Sequence, residues 1–464
     1  MLKKIIFSGV LLTLVLTTTG LSCLPSTNQQ SNVNKTKIIV WGVFDGNDVM
    51  DPIISQFQSV YKDIEVTYVK KDITEYEEKS VDALASQEGP DVWLIKNDWI
   101  TRHYKKLVPM TDGLLSKDRN NTQNKSDLDL YTSTYVPVVS KDNIVDNKIY
   151  GFPLYVDTLA LLYNLDIFQS TRKPLVDQRK MSVSDRTLVD PPATWEDVQA
   201  YTKLLTQKNG NDISRAGIAL GTGANVDQAT DILYALMLQN GTNMTASDHK
   251  SAAFNLSTST QTGTPFYPGT NALDFYNSFA NPAKDVYTWN NSLPNSVDAF
   301  KAGKVAMIID YAFQANKIRQ AVPTLNFDIG PLPQIKGAEQ PVDYASYWTE
   351  TVTKNSKSPD TAWQFVKFLS TTGVSRYSLA TKLPSPLSAD AFRQPKTTER
   401  TKYKSSTFQF QVHTAQSWNK GKYPQKVDTA FYTMIENVIS FGQPLQTAMD
   451  TTASQVTKYL QVTN

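Results

Sequence analysis

One cysteine and three histidines in 464 residues remove several chemistries at the outset. Cys23 has no partner for an internal disulfide, and His103, His249 and His413 lie far apart with no metal-ligand spacing. The phosphate-loop pattern GxxxxGK[ST] is missing, so any use of ATP belongs to a partner. Charge of one sign is not in excess either: a formal net charge of +2 gives no electrostatic reason to expect a nucleic-acid partner. No internal repeat and no heptad seam is present. The apolar run near the amino terminus is about a dozen residues, short of the roughly 20 that span a bilayer.

Aromatic residues are plentiful. Phe, Trp and Tyr make up 11% of the chain, and eight tryptophans exceed what a core strictly needs, so some are expected to line a binding surface. The length exceeds what one core usually fills, which makes two lobes the default expectation.

The opening MLKKIIFSGVLLTLVLTTTGLSC carries two lysines, an apolar stretch and small residues before Cys23, the pattern of an export signal over 1–22. Cys23 resembles the lipid-modified cysteine of bacterial lipoproteins, although Gly20 stands where that pattern prefers leucine. Plain cleavage near the same point is the alternative. Residues 23–35, rich in Ser, Asn and Gln, read as a flexible tether that holds a globular body near a membrane.

Beyond the tether, strand and helix patterns alternate. KIIVWGV suits a buried strand, and the next segment places Met50, Ile53, Ile54, Phe57, Val60 and Tyr61 at helical spacing. IEVTYV, EYEEKSVDALASQE and DVWLI continue as strand, helix and strand, implying a parallel doubly wound α/β sheet. A long strand-like run over 149–168 follows. Residues 169–194, charged and punctuated by proline, read as a loop insertion. Thr194 is the expected N-cap of a helix with Glu196 and Asp197 in its first turn, and DQATDILYALMLQNG reads as a helix closed by Gly241. Residues 245–270 read as an exposed loop, and DIGPLPQI as an edge or connecting strand.

In chain order, IIVWG, FQSVYKDIEVTYV, GPDVWLI, YGFPLYVDTLALLYN, PPATWEDV, AGIALG, AFKAGKVAMIIDYAF and SPDTAWQFVKFLS resemble the extracellular solute-binding proteins of sugar-importing ABC transporters, of the maltose-binding-protein type. The resemblance covers nearly the whole chain after the tether. It implies a two-lobed, type II periplasmic-binding-protein-like fold with a doubly wound sheet in each lobe and a sugar in the cleft between them. Lobe one is expected at 36–156 plus 349–384 and lobe two at 157–348 plus 385–464, with Tyr155 to Thr158 and Ala345 to Trp348 as the crossings. The same resemblance implies ABC permease subunits as partners, a monomer, no cofactor, and an extracytoplasmic location, lipid-anchored at the cell membrane or periplasmic.

Sugars present hydroxyls to acids and flat C–H faces to aromatic rings, so acids beside aromatics at strand ends are the expected chemistry. Asp98 stands seven residues after Asp91, a spacing at which the family places a sugar-binding acid, and Trp99 follows it. A helix N-cap and a core indole are the bland alternatives. Asp45, with Phe44 beside it, follows the first strand where the family places another acid, although DGND is also good turn sequence. Asp157 aligns with a third acid near the first crossing, with Tyr155 on the same strand face; hinge bonding is the alternative. From lobe two, Trp289, Tyr311, Phe313 and Tyr432 are candidate platforms, and Tyr347 and Trp348 lie at the second crossing. Buried aromatics are more often core than platform, so each has a packing alternative.

An exported carbohydrate-active enzyme is the rival class, since a glycosidase cleft also sets acids among aromatics. A binder of a peptide, polyamine or metal chelate is the third reading. Scarcity of Arg and Lys in the proposed cleft motifs favours a neutral polyol, and the full-length resemblance to binders favours binding over catalysis.

Overall fold

The computed structural model describes residues 35–118, 121–210, 212–259, 263–391 and 406–461; the export signal and Cys23 lie outside the described residues. A six-stranded sheet runs in the order Ile64–Lys70, Thr36–Gly42, Val92–Lys96, Trp348–Thr353, Leu107–Val108, with Phe152–Pro153 pairing Trp348–Thr353 off that path. A five-stranded sheet orders Gln207–Asn209, Asp212–Ile218, Val305–Asp310, Ala160–Asn164 and Phe327–Gly330. The predicted edge strand therefore is an edge.

Each sheet is mixed rather than wholly parallel. Thr36–Gly42 pairs parallel with both its neighbours, whereas Trp348–Thr353 enters antiparallel to Val92–Lys96. Ala160–Asn164 runs antiparallel to both Val305–Asp310 and Phe327–Gly330. Both exceptions directly follow a segment that crosses between the sheets, so they arrive from the opposite direction. The crossing segments themselves pair: Ala345 faces Thr158 and Ser346 faces Asp157.

Local expectations hold where periodicity is strong. The helix Asn47–Val60 buries Met50, Ile53, Ile54 and Phe57, while Val60 is exposed. Thr194 caps Trp195–Leu205 in a reciprocal box with Asp197, which satisfies amides that a helix start leaves orphaned. Gly241 follows the helix Ala229–Gln239 at φ +75°, a conformation that disfavours any residue with a Cβ.

Two loop expectations are corrected. The 169–194 insertion begins as helix, because Leu165–Asp177 is capped by Asn164, packs Ile167 and Phe168 into the core, and accommodates Pro174 at the loss of one backbone bond. Within 245–270, Phe254 is fully buried, Thr258–Ser259 pairs with Pro265–Phe266, and a helix starts at Pro268. Polar composition there conceals one anchoring ring.

Candidate functional site

Val92, Trp93, Leu94 and Ile95 are all buried, and the strand then turns polar at Lys96. Asn97 staples the turn: its side-chain amide donates to Asp142 Oδ2 at 2.8 Å, its backbone N–H donates to the Tyr347 carbonyl at 3.0 Å, and its Oδ1 accepts from the Tyr347 N–H at 3.4 Å. Asp98 follows in a 3-10 turn, where no side-chain capping bond forms, so the N-cap alternative is not what this acid does. Its Oδ2 lies 3.4 Å from Lys96 Nζ and 3.3 Å from Lys420 Nζ, while Oδ1 has no hydrogen-bond partner among the described residues. Burial opposes ionisation, but the two lysines outweigh it and hold the Asp98 carboxyl below its ordinary pKa.

The Lys420 side chain is 1% exposed. Asp428 accepts from it at 2.7 Å, and its ammonium sits 4.8 Å from the centre of the Tyr234 ring. Tyr234 in turn donates to Asp428 at 2.8 Å. Asp231, one turn earlier on the same helix as Tyr234, accepts from the Tyr311 hydroxyl at 2.7 Å. Charges from the six-stranded sheet's carboxyl edge thus meet Lys420, Asp428 and Asp231 in one largely buried cluster.

Trp348 is the aromatic hub beside it. Phe44 meets it edge-on at 5.1 Å, Trp99 at 5.0 Å, and Tyr76 lies at 6.1 Å. Phe44 is 46% exposed, an open platform; Trp99 is 8% exposed and wedged between Trp348 and His103, so packing claims most of its surface. Asp45 accepts from the Tyr377 hydroxyl at 3.0 Å, and Tyr155 stacks on Tyr377 at 6.1 Å. Burial raises the Asp45 pKa, with the Tyr377 bond and Lys70 opposing.

Glu350 lies two residues beyond Trp348 on the same strand face, 3% exposed. Its Oε2 has no hydrogen-bond partner among the described residues. Burial, then Asp45, pushes its pKa up to about 8.

The Asp157 carboxylate is engaged by backbone amides. It accepts from the amides of Thr158, Ala312 and Phe313 at 2.9, 2.9 and 3.0 Å, tying a crossing strand to the start of the helix Ala312–Ala321. Burial pushes its pKa up to about 7 against the pull of those three amides. Phe313, 39% exposed, stacks at 6.0 Å on the buried Tyr311 ring. Tyr432, 40% exposed, lines a cavity of about 270 Å³ with Asp428, Asp227, Thr230 and Thr429.

Two candidates are not at this site. Trp289 is 1% exposed and donates to Asn225 at 2.9 Å inside the second lobe's core, so it does not project into a cleft. Tyr347 is fully buried with its hydroxyl on Asp142 at 2.9 Å, because alternation along the chain turns it away from the face that Trp348 presents. Lys96, Lys420, Asp231, Asp428 and Glu350 escaped the sequence reading. Lys96 stands in the same strand end as Asp98 and was within reach of that argument; Lys420, in a short polar segment, carries no local signal. Basic groups are therefore present at the site, contrary to the scarcity expected. Among the described residues no cluster of His, Cys, Asp and Glu has the makings of a metal site.

A family model of bacterial extracellular solute-binding proteins matches residues 45–375. A curated binding protein of Brucella abortus is 24% identical over 246 residues, 52% of this chain and 51% of that protein; the chain spans about half the length of the curated relatives it matches. Among solved structures, the cyclic α-maltosyl-1,6-maltose binding protein from Arthrobacter globiformis aligns with a TM-score of 0.73 at 18% identity, covering 92% of this chain and 99% of that one. The sugar-binding protein MalE from Xanthomonas citri gives 0.70 at 18% identity over 92% and 97%. An ABC substrate-binding protein from Listeria monocytogenes, in complex with cycloalternan, gives 0.67 at 16% identity over 92% and 100%. At these identities the structural likeness speaks for the two-lobed fold.

Proposed function

We propose, for a chain that belongs to the family of bacterial extracellular solute-binding proteins, that the solute is a sugar or oligosaccharide held between the lobes and handed to the permease of an ABC importer. One observation supports the reading: the rings of Phe44, Phe313 and Tyr432 are exposed, and Tyr432 lines a cavity with the Asp428 carboxylate. Rings cover C–H faces, and the Asp428 carboxylate, beside Tyr432 at the cavity, can accept from hydroxyls. Asp45, Trp99, Tyr155, Tyr311 and Trp348 support that surface from behind or beside it. Sugar-binding proteins from Arthrobacter globiformis and Xanthomonas citri share the fold, which favours the same solute class. The lobes are taken as 36–156 plus 349–384 and 157–348 plus 385–464, and the protein as a monomer.

The hydrolase reading requires an accessible protonated acid across a glycosidic bond from an ionised partner. Glu350 is the protonated candidate, but at 3% exposure it offers no open face to a glycosidic oxygen. Titration calorimetry with a panel of mono- and oligosaccharides, followed by chromatography of the recovered sugars, tests both readings. Saturable heat with intact sugar is expected; cleaved products would favour the enzyme, and no heat across the panel would remove the sugar.

No helix among the described residues is long and apolar enough to cross a membrane. Attachment through a lipid on Cys23 rests instead on the apolar stretch and small residues that precede it in the sequence. Cell fractionation is expected to find the parent with membranes and Cys23→Ser in the soluble fraction; equal partitioning of the two refutes the anchor.

A further inference from the structure

We propose that Lys420 sets the charge selectivity of the solute site, its ammonium filling the place a cationic solute would take and so restricting the cleft to uncharged solutes. This rests on the reading of the cleft as a solute site. Lys420 Nζ is held from three sides: Asp428 at 2.7 Å, Asp98 at 3.3 Å and the Tyr234 ring face at 4.8 Å. Two carboxylates and an aromatic face form the environment that recognises a primary ammonium. Here the protein supplies that ammonium itself.

The charge count explains the exclusion in both directions. Asp98, Asp231 and Asp428 stand against Lys96 and Lys420, leaving an excess of one negative charge if all are ionised. An anionic solute meets that excess, and a cation must displace a buried lysine from two partners. A hydroxyl needs neither, since an uncharged group displaces no lysine and disturbs no ion pair. Lys420 is thus a specificity-determining residue, contributed from a part of the chain remote from the strand end that carries Asp98.

The test uses the full chain, parent and Lys420→Ala, at pH 6. Calorimetry compares D-glucosamine, whose amine is protonated, with N-acetyl-D-glucosamine, the same ring without the charge. Lys420→Ala is expected to bind glucosamine at least tenfold more tightly than the parent does, with no such gain for the N-acetyl sugar. Equal changes for both sugars, or a parent that already binds glucosamine as tightly as the variant, overturns the proposal. A second arm uses no sugar: n-propylammonium, which replaces the lost side chain, is expected to raise the melting temperature of Lys420→Ala well beyond 1-propanol at matched ionic strength. Should the variant be unfolded by circular dichroism, propylammonium but not propanol is expected to restore the native spectrum, and failure to do so refutes the assignment. Because that arm is independent of sugar binding, it separates failure of Lys420's role from failure of the sugar reading.

Discussion

Asp98→Asn is expected to lower the free energy of unfolding by about 3 to 5 kcal/mol, the usual penalty for removing one partner of a buried ion pair. The sequence alone offered this acid as a sugar ligand or a helix N-cap. Instead, Asp98 is 6% exposed and shares one oxygen with two lysines, one of them 1% exposed. Asparagine leaves both ammonium groups short of a counter-charge. Urea unfolding measures the loss, and calorimetry with whichever sugar of the panel binds is expected to show at least a tenfold fall in affinity. The control is the double variant Asp98→Asn with Lys420→Met, which removes one buried charge of each sign and should recover part of the lost stability. Strict additivity of the two single losses would contradict the pairing. The pH dependence has a definite sign. The Asp98 pKa is depressed in the folded protein, so its contribution is complete above the unfolded value near 4 and disappears as pH falls through the folded one.

Glu350→Gln is expected to have the opposite signature, stabilising at high pH and nearly silent at low pH. In the unfolded chain this glutamate titrates near its ordinary value of 4.5, whereas burial and Asp45 push the folded value up to about 8. Between those limits the folded state retains a proton that the unfolded state has released, so stability falls as pH rises through the window. The magnitude is on the order of 4 kcal/mol across it. Glutamine has the shape of the neutral acid and cannot ionise. Urea unfolding of parent and variant at pH 5 and pH 9 is expected to give closely similar stabilities at the first and a gain of a few kcal/mol for the variant at the second. Parallel pH profiles would show that Glu350 does not titrate in this range. Asp157 and Asp343, each pushed up to about 7 mainly by burial, steepen the parent's own decline without affecting the difference between the two proteins.

Much of the element order was legible from residue 36 onward because it depends on local pattern, whereas the family was legible only through resemblance. Helical spacing in Asn47–Val60, the reciprocal cap at Thr194 and the buried run at Val92–Lys96 are each decided within a few residues, by periodicity and by which backbone amides need a partner. The placement of an acid and an indole at that strand's carboxyl end was legible for the same reason. What each side chain then does was not. Trp289 and Trp348 are alike as letters, yet one meets Asn225 in a core and the other gathers Phe44, Trp99 and Tyr76 beside the lobe junction. Tyr347 and Trp348 are neighbours on opposite faces, and only the sheet's position decides which face is core. Sequence by itself determined most of the elements, their order and an acid at the strand end; tertiary structure alone decided that Lys420 reaches that acid, that Asp157 accepts from the amides of Ala312 and Phe313, and that Glu350 is buried beside Asp45. The reason is physical: hydrogen-bond periodicity acts within a turn or two of chain, whereas burial, charge pairing and the pKa shifts they cause depend on what distant segments bring into contact.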